Sequence, residues 1–256
     1  RMGLGSFKAL GAAHVIAREA EAEGGTLPGR VYVAASAGNH GLSVAAGARV
    51  FGATAVIYIA ETVPEAFARR LRSEGARVVR AGADYAASMA AAEATAAREG
   101  WRLLSDSTWD GYIDPALGVM EGYLQMAEEV VEAMPGPPTH VFLQAGVGGM
   151  AAAVAALFRA RWGDAPCIVV VEPDAAPAIR DGLAAGQVVA SEGPDSAMGR
   201  LDCKEASLVA LAALARDADC LATVSDLEAG QGVRALRGAG IDTTPSGAAG
   251  VAAILT

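Results

Sequence analysis

The sequence predicts a doubly wound α/β protein with mainly parallel, twisted sheets. Short apolar or β-branched runs alternate along the chain with Ala-, Glu- and Arg-rich segments that have helical spacing. Such runs are typical of strands buried on both faces, and their alternation with helices favours parallel crossovers. At 256 residues and 53% hydrophobic, the chain can bury the core of one or two domains.

The predicted strands are separated by helical segments along most of the chain. In chain order they are Val31–Ala35, Ala55–Ala60, Arg77–Arg80, Arg102–Leu104, His140–Leu143, Ile168–Val171 and Leu221–Val224. The segment Ala86–Ala97 is predicted to be helical because Ala has the highest helix propensity. Residues 135–158 carry no charge, but Gly146–Gly149 divides them into strand, loop and helix, so we expect no membrane span.

One helix is better marked than the others. Asp114 is its predicted N-cap residue, and Pro115 takes the first helical position. Its predicted apolar stripe consists of Leu117, Leu124, Ala127, Val131 and Met134. The helix ends at the breaker Met134–Pro138, which is a candidate hinge between two halves of the chain.

Composition argues against several classes of function. A formal net charge of −9 with interspersed Arg argues against nucleic acid as a partner, because phosphate backbones require a concentrated basic surface. Cys167, Cys203 and Cys220 are odd in number and lack C-x-x-C spacing, so we expect neither a disulfide framework nor a metal site. These features predict a protein of the reducing cytoplasm.

Three motifs contain residue types that suit a single cofactor. Lys8 lies in Gly5–Gly11 at the predicted head of a helix, Ser36–Gly41 follows a predicted strand, and Gly146–Met150 follows another. A Gly-rich turn between strand and helix exposes backbone N–H groups at the positive end of the helix and so predicts an anion site. An amine, a substrate clamp and a phosphate cradle are the parts that pyridoxal phosphate requires.

Other interpretations of these residues stay open. Lys8 is also compatible with a solvated lysine, and each glycine loop with a tight turn packed against its helix. The pattern Gly146-x-Gly148-x-x-Ala151 matches a dinucleotide fingerprint, and Glu172 lies near the position of a ribose-binding acid, so an NAD-dependent oxidoreductase is a second candidate. That fingerprint normally opens its βαβ array, whereas here five predicted strands precede it.

The order of five motifs resembles that of fold-type II pyridoxal-phosphate enzymes, which are built like the tryptophan synthase β subunit. The motifs are Arg1–Gly11, Ser36–Gly41, Asp106–Tyr112, Gln144–Met150 and Val171–Pro173. Threonine and serine dehydratases share the lysine, asparagine and glycine motifs. The stretch Asp106–Tyr112 makes the sequence most similar to the diaminopropionate ammonia-lyases.

The resemblance implies a role for each motif residue. Lys8 would carry the cofactor as a Schiff base, and Asp106 would be the acid-base residue that acts on the L-substrate. The implied cofactor-binding residues are Phe7, Lys8, Asn39, Gly146, Val147, Gly148, Gly149 and Met150. The substrate carboxylate would bind at Ser36, Ala37, Gly38 and His40. The family's aspartate at the position of Ala37 is tied to use of the D-substrate, so we expect action on L-amino acids.

The implied reaction is β-elimination from a small L-amino acid, with 2,3-diaminopropionate as the expected substrate and a 2-oxo acid and ammonia as products. A threonine or serine dehydratase-like lyase and a non-catalytic binding module on the same scaffold are the alternatives. We expect a cytoplasmic homodimer.

The resemblance also implies a domain organisation. Residues 1–37 and 133–256 would form the larger, cofactor-binding domain, and residues 38–132 a smaller one. Family members begin well before the lysine motif and continue beyond the motif at Thr244–Ala248. We therefore expect the family's N- and C-terminal segments to be absent from this chain.

Overall fold

A computed structural model describes residues 3–256, and the chain divides into two compact units. The first unit comprises Arg1–Asp106 and Tyr112–Gln125. The second comprises Ser107–Gly111 and Met126–Thr256. Each is an α/β unit with its own parallel sheet, in agreement with the predicted fold class.

The first unit contains a parallel sheet whose strand order is β3-β2-β1-β4. Its strands are β1 (Val31–Ala35), β2 (Thr54–Ile59), β3 (Arg77–Arg80) and β4 (Arg102–Leu103). A 3₁₀ turn at Phe7–Leu10 leads into its first helix, and the helices are α1 (Gly11–Ala22), α2 (Asn39–Val50), α3 (Glu65–Ser73) and α4 (Tyr85–Glu99). Parallel pairing places the loops that follow β1, β2 and β4 at one edge of the sheet.

Helix α5 (Asp114–Ala133) begins at the predicted cap residue and ends just before the predicted breaker. Its buried face consists of Ala116, Val119, Met120, Tyr123 and Ala127. The predicted stripe is wrong at Leu117 and Met134, which are 38% and 39% exposed. The buried face is instead rich in small residues, because the helix approaches the 3₁₀ turn so closely that a Cβ at Gly122 would overlap its backbone.

The second unit contains a parallel sheet with strand order β5-β6-β7. Its strands are β5 (His140–Gln144), β6 (Cys167–Pro173) and β7 (Cys220–Val224), so every strand expected from the sequence is confirmed. Its helices after α5 are α6 (Gly149–Trp162), α7 (Ala178–Ala185), α8 (Leu208–Asp217), α9 (Asp226–Gly238) and α10 (Pro245–Leu255). Within the described chain, every helix is too short or too polar to cross a lipid bilayer.

The division into units differs from the expected domain boundaries. Residues 3–37 group with the first sheet, because α1 packs along α2 at Gly47, where a Cβ would lie 3.1 Å from Ala13 Cα and from Ile16 Cδ1. The boundary after Gln125 lies within α5, so residues 134–138 belong to the second unit, and their role as a hinge stays a prediction. The assignment of a cofactor-binding domain to residues 1–37 and 133–256 stays a prediction.

Candidate active site

Lys8 lies at the head of a helix, as the sequence predicts. The 3₁₀ turn is capped by Ser6, whose hydroxyl accepts a hydrogen bond from the Lys8 N–H at 3.3 Å, and α1 follows directly. Lys8 Nζ lies 5.5 Å from the centroid of the Phe7 ring and 5.7 Å from that of Tyr123. The amine is therefore surrounded by aromatic faces that partly exclude water.

Asp106 is the charged partner of Lys8. Lys8 Nζ donates a hydrogen bond to Asp106 Oδ2, and the two side chains are only 23% and 20% exposed. Burial raises the pKa of the Asp106 carboxyl, but the neighbouring His40 and Lys8 and the hydrogen bond from Lys8 lower it more, so it lies well below its usual range. Asp106 therefore stays an anion as long as Lys8 is charged.

The His40 ring borders the same pair. Its Nε2 donates to the Leu104 carbonyl oxygen at 2.8 Å, because a carbonyl can only accept. Nδ1 lies 3.9 Å from Asp106 Oδ2 and has no hydrogen-bond partner in the part of the chain that the structure describes. The predicted substrate-binding residue His40 thus lies beside both predicted catalytic residues.

The loop Ser36–Gly41 connects β1 to α2 and presents unused N–H donors. The backbone N–H groups of residues 39–41 have no acceptor anywhere in residues 3–256, as is usual for the first turn of a helix. A Cβ at Gly41 would overlap the Ser36 carbonyl oxygen, so the turn can close only with glycine there. Donors at the positive end of a 12-residue helix suit a carboxylate, as the sequence predicts.

A cavity of about 240 Å³ adjoins this loop at the carboxyl ends of β1 and β2. Its lining residues are Ser36, Ala37, Tyr58, Ile59, Ala60, Thr62, Val63, Ala83, Asp84, Tyr85 and Ser88. The polar side chains among these residues are hydroxyls and the Asp84 carboxylate. Ala37 contributes only a methyl group to this wall, so the loop has no titratable side chain at the position that the family resemblance associates with D-substrates.

The glycine loop Gly146–Met150 lies in the second unit, between β5 and α6. Gly148 caps α6 with φ 92° and ψ −11°, and a Cβ there would lie 2.8 Å from Ile179 Cδ1. Backbone conformation and close packing therefore both require glycine at this position, as the packing interpretation of the loop anticipates. The N–H groups of residues 146–151 have no protein acceptor among the described residues.

Each unit has groups that suit one part of pyridoxal phosphate. The first unit places an amine beside an aromatic ring and a carboxylate, and Asn39 is a partly buried amide that starts α2. The second unit offers a row of unused backbone donors at the N-terminus of a 14-residue helix, which suits a phosphate. Among residues 3–256, no cluster of three or more His, Cys, Asp or Glu side chains is arranged to hold a metal ion.

Two features of the site are missed by sequence reasoning. Tyr123 reaches Lys8 from α5, and the only sequence signal is the adjacent Gly122, since glycine inside a helix often marks a close approach. The second feature is a buried hydroxyl pair, Thr108 and Ser207, whose oxygens are 2.7 Å apart. Ser207 N–H also donates to the Val147 carbonyl at 2.9 Å, so this pair connects the segment after Asp106 to the glycine loop within the second unit.

Glu172 has a structural role that weakens the dinucleotide interpretation. Its two carboxylate oxygens accept hydrogen bonds from the Ile179 and Arg180 N–H groups at 2.7 and 2.9 Å and so cap α7. The side chain is 1% exposed. A carboxylate with both oxygens occupied and no access to solvent cannot also bind a ribose.

A family model described as pyridoxal-phosphate dependent enzyme matches residues 1–256. The diaminopropionate ammonia-lyase of Salmonella typhimurium is 31% identical over 212 residues, which are 80% of this chain and 52% of the relative. That of Escherichia coli strain K12 is 30% identical over 256 residues, 92% of this chain and 64% of the relative. A serine dehydratase-like protein of Rattus norvegicus is 31% identical over 186 residues, 72% of this chain and 53% of the relative. The chain thus spans between about half and two thirds of the length of these relatives.

Solved structures give the same likeness in three dimensions. The E. coli diaminopropionate ammonia lyase in complex with an aminoacrylate-PLP azomethine reaction intermediate superposes with a TM-score of 0.88 at 29% identity, covering 99% of this chain and 69% of that one. The processed form of threonine deaminase isoform 2 from Solanum lycopersicum shares the fold, with a TM-score of 0.85 at 23% identity. The match covers 96% of this chain and 68% of that one. These likenesses confirm the predicted fold-type II architecture.

Proposed function

The chain belongs to the family of pyridoxal-phosphate dependent enzymes, and we propose that it catalyses β-elimination from a small L-amino acid, with L-2,3-diaminopropionate as the substrate. The observation that carries this proposal is the half-buried pair of Lys8 and Asp106, an amine and a carboxylate that can exchange protons beside the carboxylate-binding loop. Relatives that are named diaminopropionate ammonia-lyases support the choice of substrate.

Pyridoxal phosphate, when bound, supplies an electron sink that stabilises negative charge on the α-carbon of an amino acid. We propose that Lys8 holds it, with Phe7 and Asn39 beside its ring. The N–H groups of Gly146–Met150 would bind its phosphate. The loop Ser36–His40 would bind the α-carboxylate of the substrate.

Lys8 and Asp106 can serve as proton carriers because the charge of one sets the basicity of the other. The positive charge of Lys8 and its hydrogen bond are among the causes that lower the pKa of Asp106, whereas burial raises it. When Lys8 is uncharged, these causes disappear and the raising effect of burial gains weight. Asp106 then becomes a stronger base at the stage when a proton must leave the α-carbon.

The assay that tests the proposal measures both products. L-2,3-Diaminopropionate and water give two ammonia molecules for each 2-oxo acid, whereas L-serine gives one, so the ratio of ammonia to 2-oxo acid identifies the reaction. We expect turnover of the L-isomer and almost none of the D-isomer, because Ala37 provides no base. Comparable rates on both isomers would refute the stereochemical assignment, and turnover of L-serine alone would favour the dehydratase alternative that the rat relative suggests.

Asp106→Asn keeps the size of the side chain and removes its charge. We expect kcat to fall by about 10²–10⁴-fold, the usual contribution of a general acid or base, while cofactor absorbance is retained. Asp110→Asn is the matched control, because Asp110 is exposed and lies four residues away in the same motif. Full activity in Asp106→Asn would remove the catalytic role from this residue.

The proposal also includes a homodimer in the cytoplasm as the working form. The state of assembly can be measured by light scattering on the chromatographed protein. A monomer with full activity would contradict the dimer.

A further inference from the structure

A buried pair of hydroxyl groups joins the start of helix α8 to the segment that follows Asp106. Thr108 and Ser207 are 3% and 0% exposed, and their side-chain oxygens lie 2.7 Å apart. The Ser207 hydroxyl also accepts a hydrogen bond from the Thr108 N–H at 2.9 Å. Both residues belong to the second unit. Because the pair is buried, loss of the Ser207 hydroxyl would leave the Thr108 N–H without an acceptor, at a cost in stability.

The N-terminus of α8 is capped by Thr108 and not by its own N-cap residue. Ser207 occupies the N-cap position, where a serine usually accepts a hydrogen bond from its own helix, but within the described chain its hydroxyl makes no such bond. The Leu208 N–H donates instead to the Thr108 carbonyl oxygen at 3.0 Å, and the Val209 N–H donates to Thr108 Oγ1 at 2.8 Å. A residue 99 positions before Ser207 therefore fixes the first turn of α8.

The start of α8 in turn orients the glycine loop. The Ser207 N–H donates to the Val147 carbonyl oxygen at 2.9 Å. In a trans peptide the C=O and the N–H that follows it point in opposite directions, so this bond turns the Gly148 N–H away from Ser207. That N–H is one of the unused donors of the loop. A Cβ at Gly148 would lie 3.1 Å from Ala210 Cβ, so the loop packs against the first turn of α8.

We propose that Thr108 is a positioning residue for the phosphate of the cofactor, an inference that rests on the proposed function. Its hydroxyl fixes Ser207, and the Ser207 N–H fixes the Val147 carbonyl. The Gly148 N–H is thereby held in the direction of a bound phosphate. A donor that is already oriented binds an anion more tightly, because binding does not have to restrict the rotation of the peptide.

Thr108→Val keeps the shape of the side chain and removes its hydroxyl. Pyridoxal phosphate and pyridoxal, which lacks the phosphate, are each titrated into the full chain without cofactor, and binding is followed by the absorbance of the ligand. We expect Thr108→Val to raise the Kd for pyridoxal phosphate by roughly 3- to 10-fold and to leave the Kd for pyridoxal unchanged. Thr108→Ser retains a hydroxyl, so both of its Kd values should match those of the parent.

Three results would overturn the proposal. An unchanged Kd for pyridoxal phosphate in Thr108→Val would show that the hydroxyl does not orient the loop. An equal rise in the Kd for both ligands would make its role purely structural. A parent chain that binds pyridoxal phosphate no more tightly than pyridoxal would remove the phosphate from the glycine loop, and the proposal would fail with it.

Ser207→Ala is a second variant that removes the other hydroxyl of the pair. It keeps the backbone N–H that donates to Val147, so the loop stays attached to α8 while the link to Thr108 is weakened. We expect the Kd for pyridoxal phosphate to rise here as well, with that for pyridoxal unchanged. A Kd for pyridoxal phosphate that matches the parent in a folded Ser207→Ala chain would contradict the proposal.

Ser225→Ala is the control for the loss of a helix cap. Ser225 caps α9 in the same unit, and its hydroxyl accepts a hydrogen bond from the Glu228 N–H at 3.3 Å. We expect this variant to melt at a lower temperature than the parent and to bind both ligands as the parent does. If Ser225→Ala changes the ratio of the two Kd values as much as Thr108→Val does, the ratio reflects general destabilisation and the proposal fails.

Cofactor binding and lyase activity are measured separately. A parent chain that releases no ammonia from diaminopropionate, but whose affinity for pyridoxal phosphate depends on Thr108, would support the role of Thr108 and reject the proposed function. An active parent chain whose affinity for pyridoxal phosphate is unchanged in Thr108→Val would do the reverse.

Discussion

At the scale of single residues, the surroundings of two carboxyl groups move their pKa values in opposite directions, although burial by itself raises both. Asp106 has cationic neighbours, and its pKa lies well below the usual range. Burial raises the pKa of Glu172 to about 7 despite the two backbone N–H groups that bind it. The difference follows from charge compensation, because backbone dipoles offset the loss of water less well than a full positive charge does.

The raised pKa of Glu172 predicts a pH-dependent contribution to stability. A carboxyl whose pKa is higher in the folded state binds its proton more tightly there, so its contribution is fully present below about pH 4.5 and is lost as the pH rises to about 7. The loss in free energy of unfolding is on the order of 3 kcal/mol. Relative to Glu172→Gln, the parent should therefore lose stability between pH 5 and pH 8, measured by urea unfolding.

Glu228→Gln is the control for this experiment. Glu228 completes the capping box at the start of α9, and its hydrogen bonds to the Ser225 backbone N–H and hydroxyl lower its pKa. A lowered pKa gives a contribution that is lost only as the pH falls through the acidic range, so no trend is expected between pH 5 and pH 8. If the difference in free energy of unfolding between the parent and Glu172→Gln were as independent of pH as that between the parent and Glu228→Gln, Glu172 would be ionised throughout this range.

The pairing of Lys8 with Asp106 could not be derived from the sequence by local reasoning. The two residues are 98 positions apart, and propensity or periodicity says nothing about contacts at that separation. Only the resemblance to a family brings them together before the structure is known. The orphaned Nδ1 of His40 and the hydroxyl of Tyr123 depend on atomic packing, which no motif encodes.

At the scale of elements, small residues decide how the site is built. Helix α5 lies against the 3₁₀ turn through Gly122, and this contact sets the distance between Tyr123 and Lys8. The strands are predictable because buried parallel strands have continuous β-branched runs. The buried face of α5 is not predictable in this way. A search for large apolar residues selects Leu117 and misses Gly122, which permits the close approach of α5 to the 3₁₀ turn.

Gly122→Ala tests this close approach. A methyl group there would overlap the Leu10 carbonyl oxygen, so α5 and the 3₁₀ turn must separate, and we expect a loss of roughly 1–3 kcal/mol in the free energy of unfolding. Gly118→Ala on the same helix is the control, because its Cβ would meet only Val15 Cγ2, at 3.1 Å, and Ala favours the helix. Equal stability of the two variants would contradict the close packing described for Gly122.

At the scale of the whole molecule, the chain alternates between the two units, and Asp106 is the last residue of the first unit before Ser107–Gly111 joins the second. The expected domains placed the early boundary at residue 37, since the family pattern assigns the lysine segment to the cofactor domain. The contacts of α1 with α2 group that segment with the first sheet instead. The two compact units are defined by which residues pack together. The expected domains are instead defined by which motifs bind the cofactor, so the two divisions need not coincide.

We propose that Lys8 is the residue that binds pyridoxal phosphate covalently. Lys204 is the only other lysine in the sequence, and its Nζ donates to the carbonyl oxygens of Ala175 and Pro194 at 3.0 and 2.9 Å. Borohydride reduction of the cofactor-loaded protein, followed by peptide mapping, distinguishes the two lysines directly. We expect the label on Lys8, with none in Lys8→Arg; a label on Lys204, or no label on the loaded protein, would contradict the account.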